Sequence, residues 1–139
     1  MKYKIVASVL IGLILLGTSC SKVQSCAELT QEYRVQVDKL ASGWDNANEI
    51  ASNTPRMQLT EPITNLQNIR NDYKDLSVPT CARKAHALLL EYMDTIINAY
   101  TSYSTYKPDS TVNDLFTRAS QDFDSWKVAY SKLSATPTP

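Results

Sequence analysis

The chain has 139 residues with 14 basic and 14 acidic side chains, so its formal net charge is zero. This length suits one domain, which can bury roughly two-thirds of its unfolded surface and form its own core. No block of like charge exceeds two consecutive residues. A nucleic-acid-binding protein needs a basic stripe, so the charge pattern argues against nucleic acid as a partner.

Residues 1–19 have the features of a secretory signal peptide. Lys2 and Lys4 precede an uncharged apolar run over 5–16, and small residues follow it up to Cys20. A basic start, a short apolar run and small residues before a cleavage site are typical of such a leader. Because a membrane-spanning helix needs roughly 20 apolar residues, this run is too short to cross a bilayer.

The end of the leader, Gly17-Thr18-Ser19-Cys20, resembles the lipobox of bacterial lipoproteins. Members of that family most often have Leu three places before the cysteine, where this chain has Gly17, with Leu16 one place further back. The resemblance implies that Cys20 is the first mature residue and carries palmitate-type acyl chains. It also implies that a lipidated stalk over 20–25 anchors the protein outside the cytoplasm, at a periplasmic membrane face or a cell surface.

Apolar residues at steps of three and four predict four amphipathic helices in a domain over 26–134, followed by a frayed tail over 135–139. The first helix begins at Cys26, because Ser25-Cys26-Ala27-Glu28 fits the capping-box pattern. It ends before Pro55, since proline disfavours the helical conformation in the residue that precedes it.

The second helix has two candidate starts. Thr60 is the preferred cap, because Pro62 would then lie in the first turn, where proline is tolerated. The alternative start is a cap at Thr54 with Pro55 at the first helical position.

Thr80 is the predicted N-cap of the third helix, and Ser110 or Thr111 that of the fourth. The third helix is the most apolar and is expected to bury the most surface. Four amphipathic helices joined by short turns usually pack antiparallel to their sequence neighbours. The predicted fold is therefore all-α, an up-down-up-down four-helix bundle.

Cys26 and Cys81 remain as a pair once Cys20 is assigned to the lipid. Two such cysteines in an oxidising compartment usually form a disulfide. A metal site is disfavoured because His86 is the single histidine, and a C-x-x-C redox motif because the two cysteines are 55 positions apart. The bundle topology agrees with a disulfide, since these cysteines begin the first and third helices, which share one end.

No motif for catalysis, a cofactor or a metal occurs in the sequence. A nucleophile elbow, a P-loop, a glycine-rich dinucleotide turn and an H-E-x-x-H pattern are all missing. His86 lies one position past Ala85, on the flank of the apolar stripe of the third helix. We interpret it as a boundary histidine and predict no catalytic residue, no cofactor and no metal ligand.

Aromatic residues are concentrated in the third and fourth predicted helices. Interfaces are enriched in Tyr and Trp, and the end of the bundle where helix three finishes and helix four begins is the candidate surface for a protein partner. An alternative is that these tyrosines bury their rings at helix boundaries and keep their hydroxyls in water. The candidate residues are Tyr92, Tyr100, Tyr103, Tyr106, Trp126 and Tyr130.

The segments 79–85 and 88–93 are similar to stretches of uncharacterised small helical lipoproteins of bacteria, including cyanobacteria. That similarity brings no known activity. We therefore consider two functions. The first is a membrane-anchored, non-enzymatic interaction or scaffolding module, and the second is a small-ligand carrier. The carrier hypothesis places a cavity between helices three and four, lined by Tyr92, Met93, Tyr100, Phe123 and Trp126.

Overall fold

The computed structural model describes residues 26–133, with side chains from residue 30 onward. Within those residues the chain is all-helical, which confirms the predicted all-α class with four helices. The α-helices are α1 (Cys26–Asn53), α2 (Thr60–Lys74), α3 (Arg83–Ser104) and α4 (Asp109–Ser131), and two short 3-10 helices, Arg56–Gln58 and Thr80–Ala82, precede α2 and α3.

Several predictions fall outside the described part of the chain. These are the leader over 1–19, lipidation at Cys20, the stalk over 20–25 and the tail over 135–139. The backbone of Cys26 is described as the first residue of α1, but its side chain is not.

Prolines precede three of the helical elements, namely both 3-10 helices and α4. Pro55, Pro79 and Pro108 have φ values of −57°, −58° and −51° with extended ψ values, and each occupies the N-cap position of the element that follows it. Proline holds φ near this value by its ring, but it has no side-chain oxygen to accept a hydrogen bond. Accordingly, none of these three starts has a side-chain capping bond.

The predicted caps of the third and fourth helices are therefore wrong. Thr80 lies inside a 3-10 helix, and α4 begins at Asp109, before Ser110 and Thr111. The second helix begins at the preferred of the two predicted places, but Thr60 is not its cap. Thr60 is the first helical residue, and Leu59 occupies the cap position without a side-chain hydrogen bond.

The core lies between the helices and is formed unequally by them. Among the residues whose side chains are described, nine of α3 are buried, against six of α1, three of α2 and two of α4. Within that part of the chain α3 therefore has the most buried residues, in line with its prediction as the most buried helix, whereas the apolar stripe of α4 is mostly half-buried. The largest fully buried side chains are Trp44, Tyr73, Leu59, Leu66, Met93 and Val37.

Side-chain contacts define the relative direction of α1 and α3. Near the start of both helices, the Tyr33 hydroxyl lies 3.3 Å from Nδ1 of His86. Near their ends, the Tyr100 hydroxyl donates a hydrogen bond of 3.0 Å to Oδ1 of Asn48. Because the start of α1 contacts the start of α3 and the end of α1 contacts the end of α3, the two helices run in the same direction.

The other two helices run against them. The end of α2 meets the start of α1, where the hydroxyls of Tyr33 and Tyr73 are 2.8 Å apart. On α4, the early residue Phe116 packs against Tyr100, near the end of α3, with ring centroids 5.4 Å apart. A bidentate ion pair also joins α2 to α3. Nε and Nη2 of Arg70 each donate a hydrogen bond of 2.8 Å to a carboxylate oxygen of Asp94.

Candidate functional site

The end of the molecule where α1 and α3 finish and α4 begins, here named the distal end, contains a pocket of about 610 Å³. Its lining combines aromatic and polar side chains, in keeping with small-molecule sites, which are mostly apolar with a few placed polar groups. Its lining includes Arg56, Tyr100, Tyr103, Asp109, Val112, Asn113 and Phe116.

Arg56 is held in place by two aromatic rings. Its guanidinium carbon lies 4.0 Å from the ring centre of Tyr103 and 4.8 Å from that of Tyr106. The nearest carboxylate oxygen, Oδ1 of Asp109, is 3.8 Å from Nη2, and the Asp109 side chain is 88% exposed. The guanidinium donates no hydrogen bond to any of the described residues, so its N–H groups can still donate to a ligand.

Tyr106 has an unusual backbone conformation that brings its ring to this site. Its φ is 59°, and among the described residues it is the one non-glycine residue with positive φ. Its N–H donates to the carbonyl of Tyr103, and the next N–H, of Lys107, donates to that of Ser102. This is a Schellman end to α3, in which the left-handed residue is usually glycine.

The side chain of Tyr106 packs on the segment that enters α2. Its hydroxyl lies 2.9 Å from the sulfur of Met57. Both side chains face solvent, with Met57 80% and Tyr106 63% exposed. A left-handed tyrosine costs about 1 kcal/mol in backbone energy.

Other aromatic residues form a row along the contact of α1, α3 and α4. The ring centroids of successive members are 5.9, 5.0, 5.2 and 5.0 Å apart. These separations are typical of favourable aromatic packing, so the rings fill the space between α1, α3 and α4 along this row. Its members in order are Trp44, Tyr92, Phe123, Trp126 and Tyr130.

The row ends at polar groups that join α4 to α1. The Tyr130 hydroxyl donates to Oδ1 of Asp38 at 2.8 Å, and the guanidinium of Arg34 lies over the Tyr130 ring at 5.4 Å. Burial, followed by the hydrogen bond to Asp38, raises the pKa of Tyr130 to about 12. Nε of Arg34 and Nε1 of Trp126 are buried without a hydrogen-bond partner within the described part of the chain.

A buried polar cluster of Tyr33, Tyr73 and His86 was not foreseen from the sequence. The Tyr73 ring stacks on the His86 ring at 4.4 Å, and the Tyr33 hydroxyl contacts both the Tyr73 hydroxyl and Nδ1 of His86. The boundary position predicted for His86 is wrong, because it is 9% exposed in the core. Burial lowers the pKa of His86 and raises that of both tyrosines.

The predicted partner residues lie in two places. Tyr100, Tyr103 and Tyr106 are at the distal end. Trp126 and Tyr130 lie away from it, where Tyr130 contacts Arg34 and Asp38 of α1, and Tyr92 lies in the aromatic row between Trp44 and Phe123. The reason is that α4 runs antiparallel to α3, so its last turns return to the end where α1 starts. The six residues therefore do not form one surface.

The distal pocket does not coincide with the predicted carrier cavity. Met93 is fully buried, and the rings of Tyr92, Phe123 and Trp126 pack on one another. The pocket described above shares only Tyr100 with the predicted lining. Its lining also includes Thr54 and Arg56 of the connection between α1 and α2, which the helix periodicity does not place.

Comparison with known proteins gives no relative: no protein-family model, no curated protein and no solved structure matches the chain. Among the described residues, no group of three or more His, Cys, Asp or Glu side chains is arranged to hold a metal ion. Over the same residues, no helix combines the length and hydropathy needed to span a membrane.

Proposed function

We propose that the protein is a membrane-anchored, extracytoplasmic lipoprotein that acts as a non-enzymatic interaction module and docks a protein partner at its distal end. The observation that carries this proposal is the contact of two exposed apolar side chains, Met57 and Tyr106, at that end. Isolated exposed apolar residues need no explanation, but a group of them is typical of an interaction site.

The proposed anchor is the lipid on Cys20, six residues before the start of α1 at Cys26. A helix rises about 1.5 Å per residue, so the 28 residues of α1 extend about 42 Å. The distal end would thus project well away from the membrane surface, where a partner can reach it. Replacing Cys20 by Ser is expected to release the protein from the membrane fraction; retention there would contradict lipid anchoring.

We further propose that a disulfide between Cys26 and Cys81 closes an up-down-up-down bundle at the membrane end. In support, the sulfur of Cys81 lies 3.7 Å from Oγ1 of Thr30, one turn after Cys26 on α1. Closing a loop of this length stabilises a fold by roughly 4 kcal/mol in the chain-entropy model.

Cys81→Ser tests the disulfide. The variant should melt well below the parent under oxidising conditions, and a reducing agent should lower the midpoint of the parent alone. Equal midpoints for the two proteins without reductant would mean that the bridge is absent.

Photo-crosslinking tests the docking surface. A benzophenone amino acid in place of Tyr106 should capture a defined protein in native membranes. The matched control is the same substitution at Val128, which is 58% exposed and lies in the last turns of α4. Equal capture at the two positions, or none at Tyr106, would refute docking at the distal end.

A second function, carriage of a small ligand, is favoured by the distal pocket. Its volume of about 610 Å³ lies within the range of roughly 300–1,000 Å³ found for ligand sites. Mass spectrometry of small molecules released from the purified protein separates the two functions, since a carrier should retain a stoichiometric compound and a docking module should not.

A further inference from the structure

We infer that the distal pocket binds a carboxylate group attached to an apolar body, with Arg56 as the residue that holds the carboxylate. This inference deepens the proposed function and rests on it in one respect, the use of the distal end as the binding end. The ligand chemistry follows from the geometry of one guanidinium and of the wall beside it.

The edge of the Arg56 guanidinium is the part that can bind a ligand. The rings of Tyr103 and Tyr106 lie 4.0 and 4.8 Å from its central carbon and cover part of the group. Five N–H donors lie in the guanidinium plane, in a fixed fork that matches a carboxylate. The 3.8 Å separation from Asp109 is too long for a hydrogen bond, so that fork still has donors to offer.

The contacts with the two rings also lower the entropy cost of ligand binding, because they order the Arg56 side chain in advance. A free arginine has many rotamers, and ordering such a side chain on binding costs roughly 0.5–1.5 kcal/mol. Arg56 is already ordered by the two rings and is 26% exposed. A charge-assisted, two-pronged contact with a carboxylate is therefore available at a prepared position.

The rest of the pocket suits an apolar body. Phe116 and Tyr100 meet edge to face, with their ring centres 5.4 Å apart, and the adjacent Val112 is 5% exposed. Their surfaces line the same cavity as Arg56. A phenyl group or a branched aliphatic chain would cover these surfaces and exclude water from them.

The charge of the site favours one negative charge over two. Asp109 places a carboxylate 3.8 Å from the Arg56 guanidinium, so part of the positive charge is already balanced. A dianionic phosphate or phosphonate would face repulsion from Asp109, whereas a monocarboxylate adds only one charge beside the arginine.

Titration calorimetry on the full chain in detergent tests the inference with defined probes. The probe 3-phenylpropionate should bind, while 3-phenylpropanamide and phenylphosphonate should bind about tenfold more weakly or worse. Arg56→Gln should abolish this preference for the acid. The matched control is Arg118→Gln, because Arg118 is ion-paired with Glu91 at 2.8 Å between α3 and α4, away from the pocket.

A second variant keeps the test valid if Arg56→Gln unfolds. Asn113 is an exposed pocket residue, so Asn113→Phe should fill the space and weaken binding of 3-phenylpropionate while the melting temperature stays near that of the parent. Three results would overturn the inference. They are no binding of 3-phenylpropionate up to millimolar concentration, equal affinity for 3-phenylpropionate and 3-phenylpropanamide, and unchanged affinity for 3-phenylpropionate in both Arg56→Gln and Asn113→Phe.

The carboxylate could belong to a free small molecule or to the C-terminus of a polypeptide, and one further pair of probes distinguishes them. Gly-Gly-Phe with a free carboxylate should bind more tightly than 3-phenylpropionate if the source is a peptide terminus, and more weakly if it is a free acid; its C-terminal amide should be weak in both cases. Failure of every acid with crosslinking at Tyr106 intact would overturn the ligand assignment alone. Loss of crosslinking with acid binding intact would overturn protein docking alone.

Discussion

The hydrogen bonds in the buried cluster of Tyr33, Tyr73 and His86 predict which of two similar mutations destabilises the protein more. The Tyr33 hydroxyl is the middle member, 2.8 Å from the Tyr73 hydroxyl and 3.3 Å from Nδ1 of His86. Tyr33→Phe therefore removes both contacts and leaves two polar atoms without these partners. Tyr73→Phe removes one contact, and Tyr33 can still bond to His86.

The magnitudes follow from burial. Tyr33 is 3% exposed and Tyr73 is fully buried, so water cannot replace the lost bonds. A buried polar group left without a partner costs about 1–3 kcal/mol, which gives about 2–6 kcal/mol for the two groups that Tyr33→Phe leaves. For Tyr73→Phe we expect about 1 kcal/mol, the usual net value of one hydrogen bond.

The double variant gives the sharper result. With both hydroxyls gone, only the His86 nitrogen lacks a partner, so the double variant should be no less stable than Tyr33→Phe alone. The two mutations should thus be non-additive by about 1 kcal/mol or more, as expected for residues of one hydrogen-bond network.

Urea unfolding of the full chain, followed by far-UV circular dichroism, measures these differences. Tyr103→Phe is a suitable control, since the Tyr103 hydroxyl makes no hydrogen bond to the described residues and its ring is half-buried. Additive effects, or a larger loss for Tyr73→Phe than for Tyr33→Phe, would refute the proposed connectivity.

Three further predictions concern single positions. Gly43→Ala should raise the free energy of unfolding by about 1 kcal/mol, because a Cβ at this helical position meets nothing within 4 Å; a loss in urea unfolding would contradict this. Tyr106→Ala should be about 1 kcal/mol less stable than Tyr106→Gly in the same assay, since alanine keeps the strain of the φ of 59° and glycine relieves it; equal stabilities would show that the strain is absent. The lowered pKa of His86 means that the unfolded state binds its proton first, so stability from this group is complete above pH about 6.5 and falls as pH decreases toward the folded-state pKa, by up to about 1.4 kcal/mol per pH unit. His86→Gln should remove that part of the pH dependence between pH 7 and 5.5, and an unchanged profile would exclude His86 as its source.

Much of the fold was predictable because helix periodicity is a local property. The apolar steps of three and four are set by the helix repeat, so the existence and order of the four helices could be predicted without tertiary information. The start of α2 at Thr60 was predicted for a similar reason, since Pro62 limits where that helix can begin.

The errors at the other helix starts have a local cause as well. Thr80, Ser110 and Thr111 are good capping residues in isolation. However, Pro79 directly precedes Thr80, and Pro108 precedes Ser110 and Thr111 by two and three positions. The fixed φ of each proline already ends the extended segment. The helical turn therefore begins directly after Pro79 and Pro108, and the polar side chains are left inside it.

The candidate site was predicted only in part, because its members come from separate elements. Tyr100, Tyr103 and Tyr106 were identified as a distal group by their position at the end of the third helix. Arg56 and Met57 were not, since they belong to the connection between α1 and α2, where no periodicity operates. Their contacts with Tyr103 and Tyr106 depend on how that connection crosses the end of the bundle.

The sequence by itself determined the helical class, the number of helices and the identity of the most buried one, because these depend on the spacing of apolar side chains along a single segment. Tertiary structure alone decided which side chains meet across segments. It brought His86 from a predicted boundary into contact with Tyr33 and Tyr73, and it separated Trp126 and Tyr130 from the distal tyrosines. The physical reason is that direction and rotation of each packed helix are set by the close packing of all four together, which no single segment encodes.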